Sequence, residues 1–211
     1  MGRILLVRHG ETVANRDRII QGPRIDAELS ALGLRQAESL AAALANEPLG
    51  VVYSSPMARA RQTATAVVRG HTVTGLPVQV VPELYEMDYG DFAGRRYDDV
   101  EGEMEQVLDA WKMGFTDQSF PGGESAILAQ HRIRPFAQRL RDQARAATVA
   151  VVAHGRINRV LIATLTGAGL TRLEDFPQAN ASITELAVNG DVRVERLNDT
   201  AHLDMATDAF S

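Results

Sequence analysis

Four short runs of the chain are apolar almost without a break: residues 3–7 (RILLV), 51–53 (VVY), 78–81 (VQVV) and 148–153 (TVAVVA). Runs of this length without polar alternation predict strands covered on both faces, as in a parallel sheet. Between them the period changes to that of a helix. Residues 30–46 open on Ser30, a good cap, and place Leu34, Ala37, Leu40, Ala41 and Leu44 along one stripe. Residues 57–68, 127–145 and 157–165 follow the same helical spacing. The alternation predicts an α/β fold: a three-layer α/β/α sandwich around a mostly parallel central sheet, in a single domain spanning residues 1–211.

Two regions depart from the alternation. Residues 88–124 carry Gly90, Gly94, Gly102, Gly114, Gly122 and Gly123 around a short helical pattern near 100–113. We read them as a small helical and loop insertion over one end of the sheet. Near the C-terminus, residues 182–188 and 192–197 flank Asn189-Gly190, a strong hairpin signal. Residues 199–211 have little periodicity and read as a loose tail.

Bulk composition narrows the function. Hydrophobic residues make up 45% and charged residues 23%, with a net charge of −5, so no basic field points to nucleic acid. There is no cysteine, which removes disulfides, thiol nucleophiles and Cys-based metal sites. The chain runs straight into a strand without a basic-then-apolar leader. No apolar stretch approaches the roughly 18 residues of a membrane span. A cytoplasmic protein is expected. A homodimer through an edge strand or an exposed helix would fit this fold class. Lys112 is the only lysine. Nearly every cation is therefore a guanidinium, which can grip phosphate bidentately.

The chemistry gathers at the strand ends, beyond which open α/β sheets bind ligands. The first strand ends in Arg8-His9-Gly10. The second ends in Ser54-Ser55-Pro56, with Arg59 in the first turn of the next helix. The fourth ends in His154-Gly155, and the loop after the third carries Glu83 and Glu86. Each residue alone has a plain structural explanation: a satisfied histidine, an Arg8–Glu11 pair, a solvated helix arginine, a loop carboxylate. Together, two arginines and two histidines at one sheet edge would repel one another without an anion among them. A dianionic phosphate resolves the conflict, and the helix beginning near Gly155 would aim backbone N–H groups at it.

A phosphate-binding loop of the G-x-x-x-x-G-K-[ST] type is absent. Histidine can itself attack phosphorus if the attacking nitrogen is unprotonated, and a hydrogen bond at the other nitrogen can fix the tautomer. A nearby carboxylic acid can protonate the leaving alkoxide, while guanidinium groups neutralise the equatorial oxygens. Any such catalyst must lower a barrier by on the order of 20 kcal/mol or more.

With these residues in hand, the chain resembles the histidine phosphatase superfamily, the phosphoglycerate-mutase-like enzymes. The resemblance runs through "LVRHGET", "RHGETVANRDRIIQG", "LSALGLRQA", "SSPMARARQTA", "ELYEMDYGDFAG", "PGGES", "VAHGRINRVL" and "NASITEL", in the family's order. It implies His9 as the nucleophile that becomes phosphohistidine, with Arg8, Arg59 and His154 completing the phosphate pocket and Glu86 as general acid and base. Glu83 is the weaker candidate for that role. By the same resemblance Asn15 contacts phosphate, and Gln21 and Gly22 line the substrate side. No metal or cofactor is implied. The expected activity is that of a phosphomonoesterase on a small phosphorylated metabolite. The alternatives are a cofactor-dependent phosphoglycerate mutase and a non-catalytic phosphate-binding module. Three departures stand out: Phe92-Ala93 where Trp-Glu is frequent, Pro56-Met57 where Asp-Leu is common, and Arg156 where a second glycine is frequent. Arg156 either alters the pocket entrance or faces outward from its helix, and we favour the second.

Overall fold

In the computed structural model, which describes residues 2–203, six strands form one sheet in the order β3-β2-β4-β1-β5-β6. They are β1 (Gly2–Arg8), β2 (Leu49–Ser54), β3 (Val78–Val80), β4 (Thr148–Ala153), β5 (Ile183–Asn189) and β6 (Asp191–Asp199). The pairs β3–β2, β2–β4 and β4–β1 are parallel, whereas β1–β5 and β5–β6 are antiparallel. The sheet is therefore mostly parallel with an antiparallel hairpin added on one side, turning at Gly190 (φ 75°) as the Asn-Gly signal predicts.

The helices are α1 (Val13–Arg16), α2 (Ala31–Leu44), α3 (Ala58–Gly70), α4 (Tyr97–Lys112), α5 (Ala126–Ala144) and α6 (Gly155–Thr166). Successive strand side chains point to opposite faces. Leu5 and Val7 pack with Leu40 and Leu44 of α2 and with Ala60, Ala64 and Val67 of α3. Ile4 and Leu6 pack into the larger core that holds residues of α4, α5 and α6. Both faces are covered, which is why these strands read as unbroken apolar runs. A fully buried Leu or Ile here contributes roughly 1.5–3 kcal/mol relative to exposure.

Two expectations from the sequence fail. The run at 78–81 was read as a buried strand, but Val78 and Val80 are 39% and 50% exposed. β3 is a three-residue edge strand, and the valines serve pleat geometry rather than burial. Leu34 is 49% exposed, and Gly33 takes its place on the buried stripe of α2 with Ala37, Leu40, Ala41 and Leu44. The reason is a close approach: a Cβ on Gly33 would lie 2.0 Å from the Glu11 carbonyl oxygen, and one on Gly10 would lie 2.5 Å from the Gly33 carbonyl oxygen. The start of α2 thus lies against the loop that follows His9, with no room for a side chain. The predicted tail at 199–211 falls largely outside the described residues; Asp199 itself ends β6.

The insertion folds around a buried aromatic cluster, with Phe120 5.2 Å from Trp111 and 6.1 Å from Phe92 between ring centroids. It carries α4, whose Tyr97 and Met104 reach the C-terminal edge of the sheet.

Candidate active site

Strand register sets the centre of the site. β1 and β4 pair from Arg3↔Thr148 to Arg8↔Ala153, so the residues that follow, His9 and His154, emerge side by side. Their ring centroids are 5.1 Å apart at 64°. Ser55, just past β2, donates its backbone N–H to Val152 O at 2.9 Å, and its Oγ lies 2.7 Å from His154 Nε2.

His9 is 3% exposed, and its Nδ1 lies 2.7 Å from Gly10 O. A carbonyl oxygen only accepts, so Nδ1 carries the proton and Nε2 holds a lone pair. Arg59 Nε donates to that lone pair at 3.2 Å, while its other nitrogens donate to Ile25 O (3.1 Å) and Gly22 O (3.2 Å). Burial, then Arg59 and Arg8, hold the His9 pKa well below the usual histidine value. Burial, then Arg59, His9 and Arg8, do the same to His154. Both imidazoles are therefore neutral at pH 7.

Arg8 does not pair with Glu11. One of its nitrogens donates to Gln178 O at 2.6 Å, and Glu11 accepts from Ser30 Oγ at 2.7 Å. Arg8 Nε and His154 Nδ1 are buried without a protein partner among the described residues, which suits a polar ligand.

Glu86 is 8% exposed and is fixed by three backbone donors. Oε1 accepts from Met87 N (2.9 Å) and Ile157 N (3.0 Å), and Oε2 accepts from Arg156 N at 3.2 Å. The N-terminus of α6, expected to face phosphate, holds this carboxylate instead. The N–H groups at the helix start that would face a phosphate are taken up by the oxygens of this side chain. Glu83 turns away, with its carboxylate 3.5 Å from Arg139.

A hollow of about 150 Å³ opens among these groups, lined by Arg8, His9, Asn15, Gln21, Gly22, Arg59 and Glu86, together with Ile19, Ile20, Tyr89, Tyr97, Met104 and Arg156. Seven of the nine residues expected to act on or bind the substrate therefore line it. His154, expected to complete the phosphate pocket, is fully buried and lies behind the wall, against His9. Gly155 does not form part of the wall and sits against the Arg8 guanidinium. Asn15 Oδ1 is taken up by Thr12 N (3.1 Å) and Asn180 Nδ2 (3.3 Å), so its amide N–H groups are what remain for a ligand. Arg156 is not outward-facing: its side chain is 14% exposed and the residue forms part of the wall. The first turn of α6 starts at the strand tip, so even its second residue is still at the sheet edge.

Several supporting residues escaped sequence reasoning. Thr63 Oγ1 accepts from Gly10 N at 3.1 Å, and Asn180 Nδ2 donates to His9 O at 3.1 Å. Gln178 holds Arg8 through its carbonyl, and its side chain is itself tied to Asn158 and Thr184. Ser55, Thr63 and Asn180 all lie within "SSPMARARQTA" or "NASITEL", so the motifs contained them without revealing their roles.

A hydrophobic sheet edge that presents a neutral, oriented imidazole beside two arginines and a carboxylate defines a phosphoryl-handling α/β protein. The family model of the histidine phosphatase superfamily (branch 1) matches residues 4–200, and the chain belongs to that superfamily. The chain is 30% identical over 191 residues to a putative phosphoserine phosphatase 2 of Hydrogenobacter thermophilus, covering 90% of this chain and 92% of the relative. It is 33% identical over 165 residues to the adenosylcobalamin/alpha-ribazole phosphatase of Escherichia coli, covering 78% and 79%. Other relatives are named probable phosphoglycerate mutases. Among solved structures, a mycobacterial glucosyl-3-phosphoglycerate phosphatase complexed with VO3 superposes with a TM-score of 0.82 at 30% identity, covering 95% of this chain and all of that one. Among the described residues no group of three or more His, Asp or Glu side chains is placed to hold a metal ion, and no helix is long and apolar enough to cross a membrane.

Proposed function

We propose that the protein is a phosphomonoesterase that hydrolyses a small phosphorylated metabolite through a phosphohistidine on His9. The observation that carries this reading is the Nδ1–Gly10 contact of 2.7 Å, which leaves the Nε2 lone pair inside a cationic hollow. Arg8, Arg59 and the Asn15 amide bind the phosphoryl oxygens, and His154 packs against His9. In the first step Nε2 attacks phosphorus and the P–O bond to the leaving alcohol breaks. Glu86 gives its proton to that oxygen. In the second step water attacks phosphorus, Glu86 takes the water's proton, and His9 leaves as the neutral imidazole. Oε2 of Glu86, with one backbone partner against two for Oε1, is the oxygen we assign to proton transfer. Gln21 and Gly22 shape the leaving-group side. The chemistry uses no metal, and a cytoplasmic setting with small metabolites suits it.

The test is release of inorganic phosphate over a panel of phosphorylated metabolites by wild type and His9→Ala. Turnover by wild type that is lost in His9→Ala, and that persists in excess chelator, supports the reading. Equal turnover by both proteins refutes it. The relatives named as mutases favour a second reading, in which the phosphoryl group returns to another hydroxyl. Incubation with 3-phosphoglycerate and its bisphosphate cofactor separates the two: phosphate release supports the phosphatase, and isomer formation the mutase.

A further inference from the structure

Resting on that reading, we propose that Arg156 is a specificity-determining residue that receives an anionic group carried by the leaving alcohol of the substrate. Arg156 occupies the wall of the same hollow as His9 and Glu86. One nitrogen of its guanidinium, Nη1, is held by Glu174. Glu174 is shared: its other oxygen accepts from Arg159. One carboxylate thus faces two guanidinium groups, and the cluster keeps a net charge of +1 at the edge of the hollow. Arg159 alone would neutralise Glu174. The second arginine is in excess of what the ion pair needs.

The charges of the reacting state point the same way. Glu86 must carry a proton to protonate the leaving oxygen, and it is then neutral. Arg8, Arg59 and the Arg156 cluster then present three positive charges to a phosphate dianion. One remains uncompensated. Asp26 does not remove it: that carboxylate is half-exposed, 3.9 Å from Arg59, and accepts from Ala58 N at 2.6 Å at the start of α3.

Position limits where the recognised group can sit. Arg156 shares the wall of this hollow of about 150 Å³ with His9 and Glu86. An anionic group that reaches Arg156 from a phosphoryl group on His9 therefore lies close to the ester oxygen. The backbone N–H of Arg156 also holds Oε2 of Glu86. A substrate anion on the Arg156 guanidinium would therefore set the leaving oxygen close to the acid. A larger remainder would exit through the adjoining hollow of about 290 Å³ lined by Asn15, Arg18, Ile19, Ile20 and Tyr97. The chemical class is a compact phosphomonoester with a carboxylate or second anionic acceptor close to the ester.

The experiment compares two probes with one carbon skeleton, 3-phosphoglycerate and glycerol 3-phosphate, which differ in a carboxylate. Their binding is measured by calorimetry on His9→Ala and on His9→Ala/Arg156→Gln, so that turnover does not interfere. The ratio of the two affinities cancels any general effect on the phosphate site. We expect a ratio of about tenfold or more in favour of 3-phosphoglycerate, collapsing towards one with Arg156→Gln and intermediate with Arg156→Lys. A ratio near one in the parent, a ratio unchanged by Arg156→Gln, or no binding of either probe overturns the proposal. Failure of the phosphatase reading is seen separately, as absence of p-nitrophenyl phosphate turnover by the wild-type protein.

Discussion

Replacing Arg59 with methionine tests the electrostatic core of the site. The Arg59 side chain is 1% exposed and makes three hydrogen bonds: to His9 Nε2, Ile25 O and Gly22 O. Methionine fills a similar volume but donates nothing. Loss of one preorganised donor to transition-state charge costs about 3–4 kcal/mol, or a 10²–10³-fold fall in kcat/KM. Two carbonyls are also left without their donor, at about 1–3 kcal/mol each. Relief of the buried charge offsets part of this, so the protein should fold with a lowered Tm. The more discriminating readout is the pH profile. Burial comes first in depressing the His9 pKa, and Arg59 second. Removing Arg59 should raise that pKa, so more His9 is protonated at mildly acidic pH. The acid limb of kcat/KM, which reports free-enzyme groups, should move upward towards the ordinary histidine value of about 6.5. Steady-state kinetics on p-nitrophenyl phosphate between pH 4.5 and 8, chosen to span about 2 units below that value, read both effects. An acid limb that stays put or moves down, or a fall in kcat/KM below about tenfold, would show that Arg59 neither depresses the His9 pKa nor stabilises the transition state.

Other perturbations probe separate parts. Glu86→Gln should lower kcat by about 10²–10⁴-fold on alkyl phosphates and by much less on p-nitrophenyl phosphate, whose leaving group needs little protonation; equal losses on both would remove the acid assignment. Gly33→Ala forces a Cβ to 2.0 Å from the Glu11 carbonyl oxygen and should destabilise the fold by about 1–3 kcal/mol, read as a lowered midpoint in urea; an unchanged midpoint would show that the contact yields. Histidines 9 and 154 resist protonation when folded. Below about pH 6.5 the unfolded chain therefore binds more protons than the native one, and stability falls as pH drops, by up to about 1.4 kcal/mol per unit and per histidine. The slope of unfolding free energy between pH 6.5 and 5.5, the first unit of that window, should flatten in His154→Gln, and an unaltered slope would contradict the depressed pKa.

Much of the architecture is legible in the residue pattern because burial writes it there. β1 and β4 are covered on both faces, so composition alone marks them. β3 misleads because an edge strand keeps its β-branched residues without being buried. The candidate site was legible where charge gathers on strand tips: Arg8, His9 and His154 could be read from their positions after apolar runs, whereas Glu86 was set apart from Glu83 only by the family resemblance. Arg59 gained meaning only beside them. Residues acting through one hydrogen bond, such as Thr63 on Gly10 or Asn180 on His9, carry no signature of their own. Arg156 was misread because a helix's second residue has no fixed face until the strand register before it is known. Gly33 was missed because a close backbone approach between segments distant in sequence leaves only an ordinary small residue behind.

In the proposed mechanism His9 Nε2 bonds covalently to phosphorus during turnover. Rapid quenching of wild-type protein with phosphorylated substrate at alkaline pH, followed by peptide mapping, tests it most directly. One phosphoryl group is expected on the peptide containing His9, stable in base and lost in acid, and absent from His9→Ala. Phosphate found on any other residue, or a catalytically active enzyme that never carries it, would exclude the phosphohistidine.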